Sequence, residues 1–318
     1  MYKRKPKHDY AAIYQRHLAG ETISKISKDT GIHIQSIYTY FQKNNWKYNK
    51  EIQIRQVGYY VDDNYLDNID TEDKAYFLGW MLSDGCISKN KLGLKLKYGD
   101  EYIITEMFNK FSIGYKIIRD KNGRSMSLSS TKMISALAEL GCVENKTEIG
   151  FNVPNISNDL FRHFVRGYFD GDGTIGINTT RPNQRQISIC SIDNNFLIQL
   201  QEKLLEHNIS TVIYKENRNG KQLKKPNGEY TTGNKDMFRL TITTHKERLK
   251  FYEFLYDNCS IKLMRKYVKY NEYYTNIISN EVDEELVLRL FEEGRNEYSI
   301  HKETKISRCK IKRIISNL

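Results

Sequence analysis

The sequence predicts an α+β fold in which two αββαββα repeats follow one another between small all-α helix-turn-helix modules. Three observations predict it: a basic N-terminal segment with helical spacing, a recurring order of helical and strand patterns, and a C-terminal segment that copies the N-terminal spacing. The predicted segments are a first module (1–50), a linker (51–70), two repeats (71–158 and 159–275) and a second module (281–318).

The charge balance is basic, with 50 Lys and Arg against 39 Asp and Glu and a net charge of +11. This excess favours a polyanionic partner such as nucleic acid, although a basic surface kept for solubility would look the same. No apolar run approaches the roughly 20 residues that a membrane helix needs. The five cysteines are scattered, which favours a reducing compartment. We expect a cytoplasmic, monomeric protein with no membrane contact.

The first 50 residues hold ten Lys and Arg against three Asp and Glu, so much of the basic excess is local. Their apolar residues fall into three short helical patterns, with Gly20 and Gly31 at the two breaks. This spacing is typical of a helix-turn-helix, whose last helix lies in the major groove of DNA. Gln35 and Ser36 on that helix are candidate DNA-binding residues. A plain three-helix packing unit would show the same spacing.

The C-terminal segment repeats this spacing 274 positions later without a gap, so that Ile26 corresponds to Ile300. We therefore predict a second module of the same type. Its last helix carries basic residues on the free face, and we expect Arg308 and Lys312 to contact DNA.

Between the modules, the order helix, strand, strand, helix, strand, strand, helix occurs twice. The first copy starts at residue 71 and includes predicted strands at 115–118 and 125–129. The second starts at residue 159. A distance of 88 residues, from Asp84 to Asp172, sets the period of this tandem repeat.

The leading helix of each repeat carries small residues four positions apart, Gly79 with Ser83 and Gly167 with Gly171. Residues at this spacing share one helix face, because four residues turn through about 400°. Such faces allow two backbones to approach closely. If the two helices pack through them, their C-terminal ends meet.

Each leading helix is followed by an Asp-Gly pair, Asp84 with Gly85 and Asp172 with Gly173, and the glycines are expected just past the helix ends. Two carboxylates at helix C-termini repel each other and oppose the helix dipole, so a divalent cation, Mg²⁺ or Mn²⁺, would stabilise them. We predict a catalytic metal site at these four residues, although a single Asp-Gly would be an ordinary turn. Asp170 lies about 200° around its helix from Asp172 and is set aside.

Over about residues 60–275 the chain resembles the LAGLIDADG homing endonuclease family in its single-chain, two-motif form. The resemblance is carried by residues 70–79, DTEDKAYFLG, and by residues 164–174, FVRGYFDGDGT. The first motif departs from the family pattern at Trp80, Met81 and Ser83, yet it keeps its acid and final glycine.

The resemblance implies a pseudo-twofold nuclease whose two β-sheets form a saddle over the major groove of a long, asymmetric duplex target. In this family the motif acids bind divalent metals, and both DNA strands are cut across the minor groove. A basic residue beyond the last helix of each repeat lies near the metals. The matching candidates are Lys146 and Lys266, with Arg265 as a rival, although a lysine that only contacts phosphate or solvent is an equal alternative.

Strand residues that alternate outwards would contact the DNA, and the sequence does not separate those that bind bases from those that bind phosphates. These DNA-binding candidates are Lys95, Lys97, Lys116, Arg119, Arg124, Arg181, Arg185, Lys215, Arg218 and Arg239.

Two other functions fit parts of the sequence. A cleavage-inactive transcriptional regulator with the LAGLIDADG fold would use the two modules, but it has no physical reason to keep two repelling acids. An intron maturase would bind RNA, and the sequence has no RNA-recognition signature. An intein is disfavoured because the chain lacks a splicing nucleophile and a His-Asn ending. We expect a free-standing or intron-encoded homing enzyme of a phage or bacterium.

Overall fold

A computed structural model describes residues 8–121, 123–177, 185–224 and 228–316. The chain divides into two units, of which the first ends at Asp172 and the second begins at Gly173. None of the helices in these ranges is long and apolar enough to span a membrane.

The first unit begins with the predicted three-helix module, made of α1 (Tyr10–Leu18), α2 (Ile23–Thr30) and α3 (Ile34–Lys43). Thr22 and His33 cap α2 and α3, because each side chain accepts a hydrogen bond from a free backbone N–H of the first turn. The helices enclose a small apolar core formed by Ile13, Ile23, Ile26, Ile32, Ile37 and Phe41.

The predicted linker is partly ordered into secondary structure. It contains α4 (Lys50–Val57) and β1 (Tyr60–Val61), which lead from the helical module into the first repeat. Lys132 of the first repeat contacts both the helical module and the linker. Its ammonium group donates to Asn45 of the module at 3.3 Å and to Asp67 of the linker at 2.7 Å.

The first repeat follows the predicted order of helices and strands, with a short extra strand and a short extra helix. Its elements are α5 (Glu72–Leu82), β2 (Gly85–Ser88), β3 (Lys91–Leu96), α6 (Glu101–Phe108), β4 (Ser112–Ile113), β5 (Ile118–Asp120), β6 (Gly123–Ser129), α7 (Thr131–Glu139) and α8 (Lys146–Ile149). Four antiparallel strands form a sheet in the order β2-β3-β6-β5, and β4 pairs with β1. Leu92, Leu94 and Leu96 alternate into the core.

The second repeat has the same order of elements, with an added hairpin. It consists of α9 (Asn158–Asp172), β7 (Gly173–Ile177), β8 (Arg185–Ser191), α10 (Asn194–Glu206), β9 (Val212–Glu216), β10 (Gln222–Lys224), β11 (Tyr230–Thr232), β12 (Met237–Ile242) and α11 (His245–Tyr256). Its antiparallel sheet has the order β7-β8-β12-β9, and β10 pairs with β11. When the four strands of each sheet are counted in chain order, both sheets have the order first, second, fourth, third. The predicted α+β class and tandem repeat are therefore confirmed.

The chain continues through α12 (Met264–Glu292), α13 (Glu297–Thr304) and α14 (Arg308–Ile315). Helix α12 is unbroken across residues 275–281, where the sequence suggests a boundary between the second repeat and the second module. The end of α12 serves as the first helix of that module. The core of the module consists of Val287, Leu290, Ile300, Ile306, Ile311 and Ile314.

The two helical modules agree in detail at the predicted offset of 274 residues. Thr30 and Thr304 each donate a 2.7 Å hydrogen bond to the carbonyl four residues earlier. Each threonine is followed by a left-handed residue, Gly31 with φ 65° and Lys305 with φ 63°. A left-handed residue ends a helix and turns the chain, so the same tight turn joins the last two helices in both modules.

One predicted strand is misplaced. Residues 115–118 were expected to be extended, but β5 begins only at Ile118 and runs to Asp120. Gly114 has a φ of 79°, and the following residues form an irregular connection between β4 and β5. The turn chemistry of this glycine overrides the β propensity of the residues that follow it.

Candidate functional site

Helices α5 and α9 pack through their small residues, and the contact is so close that side chains larger than glycine do not fit. A Cβ added at Gly79 would lie 2.2 Å from the carbonyl oxygen of Phe164. One added at Gly167 would lie 2.1 Å from the carbonyl oxygen of Tyr76. The two backbones therefore touch along the interface, as the four-residue spacing of small residues predicts.

This packing places the motif acids at neighbouring helix ends. Asp172 is the last residue of α9, and Asp84 lies two residues beyond the end of α5. A Cβ added at Gly171 would lie 3.4 Å from Oδ2 of Asp84, so this carboxylate lies against the residue that precedes Asp172. Asp84 is exposed and Asp172 is half-buried. The acids are thus held near each other at an edge that solvent and a ligand can reach.

Gly85 and Gly173 lie just past the helix ends, as expected, although neither has the left-handed backbone of a typical helix-ending glycine. Each is the first residue of a strand, β2 and β7 respectively. At Gly85 the need for glycine comes from a close approach, because a Cβ there would lie 2.4 Å from the Cα of Met81. Gly173 follows α9 directly, whereas the turn residues Ser83 and Asp84 separate α5 from Gly85.

Lys146 reaches the first motif from the segment that follows α7. Its ammonium group donates a hydrogen bond to the carbonyl oxygen of Gly85, the residue after Asp84. The segment is anchored by Cys142, whose buried Sγ lies 3.3 Å from the carbonyl oxygen of Met81. Burial raises the pKa of this thiol to about 11, so it stays neutral. The structure therefore brings the first candidate lysine to the end of α5.

Lys266, the candidate from the second repeat, lies in the first turn of α12 in the second unit. Only 6 % of the Lys266 surface is accessible to solvent, whereas the rival candidate Arg265 is exposed. A buried ammonium group needs polar partners, and Lys266 has contacts within the chain. Burial distinguishes Lys266 from a lysine that is simply solvated.

The donors at the two motifs fit a hard divalent cation. The carboxylates of Asp84 and Asp172 are oxygen ligands of the kind that Mg²⁺ and Mn²⁺ prefer, and Mg²⁺ is commonly held by one or two carboxylates together with water and phosphate. Within the described ranges, no group of three or more His, Cys, Asp and Glu side chains is placed to hold a metal. A site at the two acids would therefore take its remaining ligands from solvent and substrate.

Buried polar contacts join the same two helices along their length, from Glu72 at the start of α5 to Asp170 in the last turn of α9. Arg166, which is fully buried, donates to Glu72 at 2.6 Å, and its guanidinium lies 2.7 Å from Nδ1 of His163. Desolvation and the neighbouring Arg166 charge lower the pKa of His163 to about 4, so the ring is neutral near pH 7. Asp170 is also buried here and accepts a 2.7 Å hydrogen bond from the Tyr76 hydroxyl. These residues hold α5 and α9 together rather than taking part in the acid pair.

We expect Glu72→Ala to cost on the order of 3 kcal/mol of unfolding free energy, because it leaves the buried Arg166 guanidinium without its carboxylate. Glu72→Gln keeps an oxygen that can accept from Arg166 and should cost clearly less. Urea denaturation of the two variants measures the difference. Equal stability of Glu72→Ala and the unmodified chain would contradict this role of the ion pair.

The solvent face of the first sheet is polar and basic. Lys95 of β3 is exposed beside Ser125 of β6, and Lys97 follows at the end of the strand. Arg119 of β5 is also exposed but lies on the other face, because it is opposite Arg124, which is in turn opposite the buried Leu96. Lys91 was not among the predicted DNA-binding residues, but it lies on the same face of β3 as Lys95, since the two are four residues apart. This face therefore presents the lysines of β3 together, of which Lys95 pairs with Asp120 at 2.7 Å.

Two candidates of the first repeat do not project from the sheet as expected. Lys116 is exposed but lies in the connection between β4 and β5, outside the strands. Arg124 is packed instead of free, because its guanidinium lies 4.2 Å from the ring centre of Tyr98 and 3.8 Å from a carboxylate oxygen of Glu101. The alternation argument fails at these positions because one is not in a strand and the other finds partners within the chain.

The basic candidates of the second sheet are paired with carboxylates. Lys215 lies 2.9 Å from Asp236, and Arg218 and Arg239 share Glu216. Arg181 lies outside the described residues, and for Arg185 only the backbone position at the start of β8 is described.

The candidates on the helical modules are all exposed. Gln35 and Ser36 lie on the first turn of α3, and Arg308 and Lys312 lie on α14. These are the final helices of the two matching modules. Their free faces differ in charge, since the face of α14 carries cations where that of α3 carries neutral polar groups.

Comparison with known proteins finds a family resemblance in the second repeat. Residues 159–255 match the family model of the LAGLIDADG-like domain, which confirms the resemblance inferred from the sequence. A probable translation initiation factor IF-2 of Methanocaldococcus jannaschii is 25% identical over 159 residues, covering 47% of this chain and 13% of the relative. The DNA-directed RNA polymerase subunit Rpo1C of the same organism is 25% identical over 150 residues, covering 39% and 17%. The chain thus spans less than a fifth of either relative.

The chain is also similar to two solved structures, of the homing endonuclease I-DmoI and of DUF199/WhiA. The complex of I-DmoI with DNA and Ca is 13% identical, covers 58% of this chain and 88% of its own, and has a TM-score of 0.37. Full-length DUF199/WhiA from Thermatoga maritima is 15% identical, covers 80% of this chain and 95% of its own, and has a TM-score of 0.37.

Proposed function

We propose that the chain is a site-specific, double-strand DNA endonuclease that uses a divalent metal held by Asp84 and Asp172. The observation that carries the proposal is the contact between α5 and α9, which brings the Asp84 carboxylate against the residue before Asp172. Two acids at adjacent helix ends repel each other and face the negative ends of the helix dipoles. A divalent cation bound by both carboxylates would offset this repulsion.

Mg²⁺ or Mn²⁺ would be held by Asp84 and Asp172, with the adjacent Gly85 and Gly173 as part of the site. When bound, the metal supplies an activated water and stabilises charge on the phosphodiester. Lys146 holds the Gly85 carbonyl and carries a positive charge beside the first acid, where it would attract and orient the phosphate. We assign the same role in the second repeat to Lys266.

The partner in this proposal is duplex DNA with a long, asymmetric site, bound by a monomer. The net charge of +11 favours a polyanion, and the exposed lysines of β3, Lys91 and Lys95, lie on one face of the first sheet. Gln35, Ser36, Arg308 and Lys312 would extend the contacts to the flanks of the site, because they lie on the last helices of the two modules.

A second candidate function is a DNA-binding regulator that keeps the fold without cutting. The observation that favours it is the close match of the two terminal modules, down to the threonine and left-handed turn that join their last two helices. Two modules of this kind suffice to bind DNA without any chemistry. The retained acid pair favours the endonuclease.

Metal removal tests the proposal directly. The full chain is incubated with the genomic DNA that flanks its own gene, once with Mg²⁺ and once with excess EDTA. We expect a single defined double-strand cut with Mg²⁺ and none with EDTA, while a footprint on the same DNA remains in both. A footprint without a cut in Mg²⁺ and in Mn²⁺ would reject the endonuclease and support the regulator.

A further inference from the structure

A carboxylate on the solvent face of the second sheet binds two arginines at once. Arg239 donates from Nε to Oε1 of Glu216 at 2.5 Å, and Arg218 donates from Nη2 to Oε2 at 2.6 Å. Arg239 also donates from Nη1 to the Ser188 hydroxyl at 3.1 Å. Each oxygen of Glu216 therefore serves one guanidinium.

The register of the strands places this cluster on the side of the sheet that faces away from the core. Arg239 lies in the middle of β12, opposite Cys190 on β8 and Tyr214 on β9. The next residue, Leu240, points the other way and is fully buried. Tyr214, beside Arg239, is 52 % exposed, so solvent or a ligand reaches this face.

The backbone beneath the cluster is fixed as well. Asp236 accepts hydrogen bonds from the backbone N–H groups of Arg218 and Asn219, at 3.0 and 3.1 Å. Its other oxygen pairs with Lys215 at 2.9 Å. Arg218 is thus held both at its backbone and at its guanidinium, which limits its conformational freedom before any ligand binds.

The carboxylate of Glu216 would be unfavourable if this surface did no more than attract the phosphate groups of DNA. A carboxylate there cancels one of two positive charges and lowers the non-specific, salt-dependent part of DNA affinity. Arg239 lowers the pKa of Glu216, so the carboxylate stays ionised near neutral pH. This negative charge is explained if it orients the arginines. Arg218 uses Nε and Nη2 for Glu216, and Arg239 uses Nε for Glu216 and Nη1 for Ser188, so these contacts leave Nη1 of Arg218 and Nη2 of Arg239 as donors for a ligand.

We propose that Glu216 is a positioning residue for sequence recognition, which orients Arg218 and Arg239 to bind the edges of guanine bases in the major groove. Arginine binds the O6 and N7 atoms of guanine through two parallel hydrogen bonds, and this geometry requires a defined guanidinium plane. The inference rests on the proposed binding of duplex DNA and is independent of cleavage.

The test measures base preference in EDTA, so that cutting plays no part. The full chain first selects its preferred sequence from duplexes with a randomised core, and binding to single-base substitutions of that sequence is then measured. We expect Arg218→Ala and Arg239→Ala to reduce the preference for guanine roughly tenfold, each at one position. Glu216→Ala should reduce it at both of these positions, and adding Arg239→Ala to Glu216→Ala should cause little further loss at the Arg239 position.

Glu206→Gln is the matched control for Glu216→Gln. It removes one negative charge from an exposed ion pair with Lys203 on α10, away from the sheet face. Glu206→Gln should leave every base preference unchanged, whereas Glu216→Gln should weaken the two guanine preferences. Circular dichroism of each variant verifies the fold.

The alternative is that Glu216 only reduces the local charge. In that case Glu216→Ala would bind all duplexes more tightly, with a steeper salt dependence and unchanged base preference, and our inference would be overturned. It would also be overturned if neither arginine variant altered the preference at a guanine. Failure of the unmodified chain to select any sequence would instead reject the proposed site-specific DNA binding itself.

Discussion

Replacing Asp84 or Asp172 by asparagine is expected to abolish double-strand cleavage while leaving DNA binding and the fold intact. Asparagine has nearly the same shape as aspartate but lacks the negative charge that a divalent cation requires. Loss of a direct ligand should exceed the roughly 10- to 100-fold effect that follows from loss of an outer partner of a metal site. Cleavage of supercoiled and linear duplex in Mg²⁺ measures the effect, and a variant that still cuts both strands would refute the assignment.

Asp159→Asn is a suitable control, because it removes one charge from an exposed aspartate in the first turn of α9, the helix that ends at Asp172. It should keep cleavage. A second readout does not depend on activity: Mg²⁺ should raise the thermal midpoint of the unmodified chain and of Asp159→Asn, but not that of Asp84→Asn. A metal-dependent shift that persists in Asp84→Asn would place the metal elsewhere.

The acid pair could be predicted from sequence because its determinants are local and occur twice. The four-residue spacings of Gly79 with Ser83 and of Gly167 with Gly171 define helix faces without any knowledge of the fold. Because the same spacing occurs at equivalent positions of both repeats, the two small-residue faces are predicted to pack against each other. What the sequence did not reveal was the reason for Gly85, since its close approach to Met81 depends on how β2 leaves the helix.

The polar partners that orient side chains could not be predicted in the same way. Glu72 and Arg166 are 94 positions apart, and Arg239 lies 23 positions from Glu216. Neither pair follows a helical or strand period, so only the tertiary structure brings them together. For the same reason, Arg124 looked like a DNA-binding residue in the sequence but packs against Tyr98.

The modules at the two ends could be matched from the sequence because their cores share one spacing. Ile26 and Ile300 are both fully buried in the centre of their modules. The predicted boundary at 275–281 overlooked one signal for the length of α12: residues 264–292 contain no glycine or proline, which favours an unbroken helix.

Gly167→Ala is expected to destabilise the chain by on the order of 3 kcal/mol or more, because the added methyl group would lie 2.1 Å from the carbonyl oxygen of Tyr76. Backbone cannot move aside as a flexible side chain can, so α5 and α9 must separate. Urea denaturation measures the loss. Cleavage by any folded fraction should also fall, since the acids depend on this contact for their placement.

Gly176→Ala is the matched control for this substitution. A Cβ added there lies 3.8 Å from its nearest neighbour, an ordinary contact, and alanine in a strand restricts the unfolded chain more than glycine does. The control should therefore be as stable as the unmodified chain or slightly more so. If Gly167→Ala matched it in stability and still cut DNA, the close helix contact would not be what positions Asp84 and Asp172. Loss of both properties in Gly167→Ala alone would tie the chemistry of the acids to the glycines that let their helices meet.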